Sequence, residues 1–205
     1  MRPTVEDLQA IWLFTYSRSS LGYATEFLAE LDKVVPESVQ YRALVDAAIT
    51  AYMRPFTRCK LPLKKEMVIP LENVLPPEHL AQFHEHAKNT RDTMIGHTDA
   101  TPVKGYTASP NRVLVGNFAG RFSLTSMMIG ELDAVFRNAL GNLCVHFMKH
   151  CDANLRRLRK HYRSEFDMYP PGEYELVIAE PPADWLIPWQ TKHSDDYREP
   201  GWKSA

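Results

Sequence analysis

The strongest constraint on the fold is a proline-free run between Pro110 and Pro170 in which apolar residues repeat at helical spacing. From about Ser126 onward, Leu132, Val135, Phe136, Leu140, Leu143, Phe147, Cys151, Leu155 and Leu158 recur mostly at three- and four-residue steps, which puts them on one stripe of an α-helix. A helix from Ser126 to about Tyr162 would be roughly 50 Å long at 1.5 Å per residue. Such a helix needs long partners to cover its stripe, and this points to a helical bundle.

The N-terminal half supplies those partners. Thr4 is placed to cap a first helix, with Asp7 in its first turn. Leu8, Ile11 and Trp12, then Ala24, Phe27, Leu28 and Leu31, keep helical spacing on either side of a Ser/Gly interruption from Ser17 to Gly22, read as a kink or a break. Val34-Val35-Pro36 ends the segment. A second helix begins near Glu37 or Ser38 and carries Tyr41, Leu44, Val45, Ala48, Ile49, Tyr52 and Met53 on one face. Pro55 stands where continuation would require a kink. Residues 59–77 hold four prolines and read as a connecting loop, packed by Leu71 and Val74. A third helix starts around Pro76-Pro77-Glu78, with Leu80, Phe83, Ala87 and Met94 inward, Arg91 on the same stripe and Gly96 as terminator. Val113-Leu114-Val115 is β-rich and flanked by turn residues, so a short β-hairpin is expected near 112–118.

The expected fold is therefore all-α: an up-and-down bundle of four to five helices over residues 1–163. Trp12, Phe27, Phe56, Phe83, Phe136 and Phe147 are expected to fill much of its core. Residues 164–205 read as an irregular, acidic, Pro/Trp-rich tail, whose Trp185, Trp189 and Trp202 need something to cover them.

Composition narrows the function classes. A formal net charge of −1 excludes a generic polyanion binder, so contact with nucleic acid would need a local patch. No stretch approaches the ~20 apolar residues of a membrane span. The first residues, acidic by Glu6, lack the apolar core of a secretory signal. A cytoplasmic protein without membrane contact is expected. The three cysteines include no Cys-x-x-Cys pair. Cys144 and Cys151 would share a helix face about 10 Å apart along the axis, too far for a disulfide, and read as buried thiols. His84-Glu85-His86 invites a metal reading. Its histidines, however, point about 200° apart on a helix, unlike the i, i+4 spacing of zinc sites. No metal and no cofactor are expected.

The candidate site is the segment Arg91-Asp92-Thr93-Met94-Ile95-Gly96-His97. In one straight helix Arg91 and His97 would lie about 240° apart. They meet only if the chain turns at Gly96, or if a two-fold axis brings together the pair from two subunits. RNA carries its own nucleophile, the 2′-OH, so cleavage needs neither a protein nucleophile nor a metal. A histidine can exchange the proton near neutral pH, and an arginine can hold the phosphate. The same spacing also fits an arginine that merely bridges two helices. Arg54 would support the phosphate or simply solvate a helix end, and His86 or His84 would line the cleft. Arg156, Arg157, Arg159, Lys160 and Arg163 form the most basic stretch, which suits an RNA backbone as well as a helix C-terminus.

Arg91-Asp92-x-x-x-x-His97, at the end of the third helix of such a bundle, resembles the signature of the HEPN superfamily. That signature is an arginine, a polar residue, and a histidine after four to six intervening positions. Ala51-Tyr52-Met53-Arg54-Pro55-Phe56 and Gly96-His97-Thr98-Asp99 look similar to the abortive-infection-like branch. The resemblance covers residues 1 to about 163 by architecture, with about ten residues carrying it in sequence. It implies a homodimer with facing motifs and a metal-independent endoribonuclease of a defence or toxin–antitoxin type, with a cognate antitoxin protein as partner. Arg91 and His97 would be the catalytic pair and Asp92 the polar motif residue. Because some members of the superfamily are silent, it equally allows a catalytically inactive helical interaction module.

Overall fold

The computed structural model describes residues 2–36, 38–92, 134–178 and 185–188, together with the backbone of 112–118 and 121–127; at 175 and 187 as well, only the backbone is described. Within them the chain is an all-α bundle. Helices α1 (Val5–Glu30), α2 (Val39–Met53), α3 (Ala81–Thr90), α4 (Ala134–His161) and the single turn α5 (Arg163–Phe166) are joined by loops and short 3₁₀ turns. None of the described helices is long and apolar enough to cross a membrane.

The caps fall where the side chains dictate. The Thr4 hydroxyl accepts the Asp7 N–H and Ser38 accepts the Tyr41 N–H, which satisfies one free donor at each helix start. The Ser17–Gly22 interruption does not break α1. Ser17 and Ser20 lie buried on the same face as Leu21, Ala24 and Leu28, so the polar residues are small enough to pack in the interface rather than end the helix.

Helix α4 lies antiparallel to α1. Ion pairs Arg137–Asp32 (2.7 Å) and Arg18–Asp152 (2.6 Å) mark two levels of that contact. Each is partly solvated and contributes at most about 1 kcal/mol. At the far end, the Tyr162 hydroxyl donates to the Asp7 carboxylate. Burial works against ionisation of Asp7, yet the hydrogen bonds from Tyr162 and Thr4 hold its carboxyl below the ordinary range.

The core runs from Leu21, Ala24 and Leu28 through Val45, Ile49 and Tyr52 to Leu140, Leu143, Cys144, Phe147 and Cys151. Phe136 and Phe147 fill it as expected, whereas Phe27, Phe56 and Phe83 pack at its margin in partial exposure. Leu71 is buried and Val74 packs against the same cluster. Cys144 and Cys151 are buried free thiols, and Cys59 is a partly exposed one. Trp12 departs from expectation. It is half-buried, outside the core, and lies flat against Tyr16 with ring centroids 5.0 Å apart and planes 9° apart.

Arg112–Phe118 and Arg121–Met127 pair antiparallel, with Arg112 opposite Met127 and Phe118 opposite Arg121. A hairpin therefore forms where one was expected, and its second strand takes residues assigned from sequence to the start of the long helix. Ser126 and Met127 are thus strand, and within the described residues α4 spans Ala134–His161. Beyond α5, Tyr174–Leu176 and Leu186–Pro188 form a small second ladder. Trp185 is 2% exposed and is covered by Phe166 and Tyr169 at 5.0 and 5.7 Å. Trp189, Trp202 and Gly96 lie outside the described residues.

One polar contact sits inside the aromatic part of the core. The Tyr52 hydroxyl is 2.7 Å from His84 Nδ1, and both rings pack against Phe56 and Phe147. Burial pushes the His84 pKa down and raises that of Tyr52 above the ordinary phenol range. The folded state therefore holds a neutral imidazole with a protonated tyrosine. As pH falls below the ordinary histidine pKa of about 6.5, the unfolded chain takes up a proton that the folded chain refuses. Stability is thus complete above about pH 6.5 and declines as pH falls toward the folded pKa of His84. Urea midpoints should drop between about pH 7 and pH 5. His84→Gln, which keeps an acceptor for Tyr52 but cannot titrate, should show a flatter profile; an unchanged slope would mean that His84 takes up its proton equally in the folded and unfolded chain.

Candidate functional site

Three segments distant in sequence meet beside the C-terminal end of α2. Helix α2 stops at Met53 and Pro55 is buried in the 3₁₀ turn Arg54–Phe56 that follows. The turn is tied by the Thr57 N–H to the Arg54 carbonyl (3.1 Å) and by the Leu71 N–H to the Pro55 carbonyl (3.0 Å). Cys59 then exchanges two backbone hydrogen bonds with Val68, both 2.8 Å. The polar side chains of this stretch are thereby fixed on one side of the α2 end.

They line a pocket of about 130 Å³. Arg54, Thr57, Arg58 and Cys59 come from the turn and Thr50 from the last full turn of α2. Tyr16 reaches in from the middle of α1 and Arg91 from the end of α3. The volume suits one phosphate-sized group. It is well below the about 300–1,000 Å³ of pockets that enclose a small organic molecule.

Arg91 continues α3 with its N–H shared between the Ala87 and Lys88 carbonyls, and the helix widens into a π-type turn at Arg91 and Asp92. Its guanidinium pairs with the adjacent Asp92 carboxylate at 2.6 Å, their side chains 36% and 44% exposed. Arg91 is on the helix stripe, yet its guanidinium is partly open to solvent. The pair is partly solvated, so its net contribution to stability is at most about 1 kcal/mol rather than that of a buried ion pair.

Three guanidiniums thus line one pocket whose described lining contains no carboxylate. Among the described residues, Arg54 and Arg58 make no ion pair. The charge of Arg91 is partly offset by Asp92, whereas no ion pair among the described residues offsets Arg54 or Arg58; such convergent arginines attract an anion, and their forked donors suit phosphate oxygens. Burial raises the pKa of Cys59, which keeps the thiol protonated at neutral pH.

No family model, no curated protein and no solved structure matches this chain.

Of the residues singled out from sequence, the structure brings Arg54 and Arg91 together, with Asp92 on Arg91. His97 lies outside the described residues. His86 packs edge-on against Phe136 (4.7 Å) and His84 turns to Tyr52; neither lines the pocket. Among the described residues, no three potential metal ligands come together.

Arg156, Arg157, Arg159, Lys160 and Arg163 are exposed, and Tyr162 anchors them at the same end of the bundle as the start of α1. None of them lines the pocket. α1 presents Phe14 and Arg18 to α4, and Tyr16 projects about 200° away from that face. The basic run and the pocket are thus separate surfaces.

Sequence reading missed Tyr16, Thr50, Thr57 and Cys59. The one local signal was the four-residue step from Arg54 to Arg58 across Pro55. Inorganic phosphate should raise the melting temperature of the protein in proportion to log concentration above its Kd. That rise should vanish in the Arg54→Ala/Arg58→Ala double variant. Equal rises in both proteins would place the anion elsewhere.

Proposed function

We propose that this chain is a metal-independent endoribonuclease resembling the HEPN superfamily, in which the arginine pocket holds the scissile phosphate of RNA. The observation that carries this reading is the meeting of Arg91, the motif arginine, with Arg54 and Arg58 in a pocket the size of one phosphate. In this reading His97 supplies proton transfer. A base removes the 2′-OH proton, the 2′ oxygen attacks phosphorus, and the 5′ oxygen leaves with a proton from an acid. The products are a 2′,3′-cyclic phosphate and a 5′-hydroxyl. The guanidiniums stabilise the extra negative charge that builds on the phosphoryl oxygens. A homodimer with facing motifs would bring two copies of His97 to one substrate, one as base and one as acid. A cytoplasmic toxin or abortive-infection role, held in check by an antitoxin protein, belongs to the same proposal.

One observation favours a second reading, a catalytically silent binding module. The described wall of the pocket consists of arginines, threonines, Tyr16 and a protonated Cys59. These groups suit holding an anion, but the described wall offers no histidine or carboxylate to act as general base or acid.

Incubation of the purified protein with RNA in EDTA separates the two. The nuclease reading expects cleavage that leaves cyclic phosphate ends. His97→Ala, matched for folding and oligomeric state, should lower the rate by about 10²–10⁴-fold, and Arg91→Ala should lower it with little loss of stability. Binding without cleavage in the unmodified protein would establish the silent module instead.

A further inference from the structure

Beside the pocket stands a feature that the core does not explain. Trp12 and Tyr16, one helical turn apart on α1, are stacked nearly parallel at 5.0 Å. Both are partly exposed, and neither belongs to the hydrophobic cluster that holds the helices together. Tyr16 is also part of the pocket wall. A flat aromatic pair therefore runs directly from a phosphate-sized, arginine-lined cavity onto the surface of α1.

We propose that Trp12 and Tyr16 form a base-stacking platform, and that pocket and platform together take a single-stranded stretch of nucleic acid rather than a duplex. The inference rests on the reading of the arginine pocket as a phosphate site. A cavity of about 130 Å³ admits a phosphate and leaves the attached sugar and base outside. The base then needs an apolar surface of its own, and the aromatic pair next to the pocket offers one. In a duplex both faces of a base are covered by its neighbours, so only an unpaired base can join a protein stack. Stacking tolerates any base because every base has a π-face. The site would thus select strandedness more than sequence.

The test compares a short 2′-O-methylated RNA, which lacks the free nucleophile, as a single strand and annealed to its complement. Affinity is followed by fluorescence anisotropy, and inorganic phosphate binding by calorimetry. The unmodified protein should prefer the single strand. Trp12→Leu, which keeps an apolar side chain but removes the stack, should bind the single strand about tenfold more weakly. Its phosphate affinity should be unchanged, and Trp12→Phe should restore most of the loss. Single-strand affinity unchanged in Trp12→Leu, with phosphate binding intact, would overturn the platform and leave the phosphate pocket standing. Equal loss of phosphate and RNA binding in Trp12→Leu would show Trp12 to be a structural prop. Failure of the unmodified protein to bind phosphate would overturn the pocket and the platform with it.

Discussion

The fold turns on Phe147. Its ring is fully buried on α4 and packs against Tyr52 and Phe56 at the end of α2 and against His84 on α3. Three elements meet at this one side chain, and truncating such a buried aromatic typically costs about 3–5 kcal/mol. The position of the pocket follows from the same contact. Phe56 is held by Phe147, Pro55 beside it is buried, and the flanking Arg54 and Arg58 are left to project outward. The arginines are placed by the aromatic cluster behind them, without being part of it.

Front and back of this turn differ in electrostatic character. Behind it, burial keeps His84 neutral and Tyr52 protonated, so the hydrogen bond joining them carries no net charge into the core. In front of it, Arg54 and Arg58 are open to water and line one cavity with Arg91, which is paired with Asp92. Charge is thus confined to the wet side of a thin wall, where water screens the mutual repulsion of the arginines. An incoming anion would replace that water and gain direct, forked hydrogen bonds.

Much of the fold was legible from periodicity and capping. Thr4 and Ser38 cap as their residue types demand, and the apolar stripes of α2 and α4 face inward. The end of strand β2 (Arg121–Met127) was not, because no proline separates it from α4 and Ser126 is a residue type that suits a helix start. Trp12 was misplaced because its spacing from Leu8 fits a core stripe, whereas its real partner is Tyr16 one turn on. Of the site, Arg91 stood out by motif and Arg54 by its place at a helix end. Tyr16 carried no such mark, since nothing local in the sequence says that residue 16 lies near residues 54 and 91.

All three pocket arginines sit on the outer surface of their own segments, and none fills space in the core. Replacing Arg54 or Arg58 would leave packing intact and relieve like-charge repulsion, whereas replacing Arg91 would also unpair Asp92. A chain under selection for folding alone would gain by shedding one of them, since most proteins hold only a small margin of stability. On the proposed reading, binding an anion and stabilising the fold would pull in opposite directions at this one small cavity.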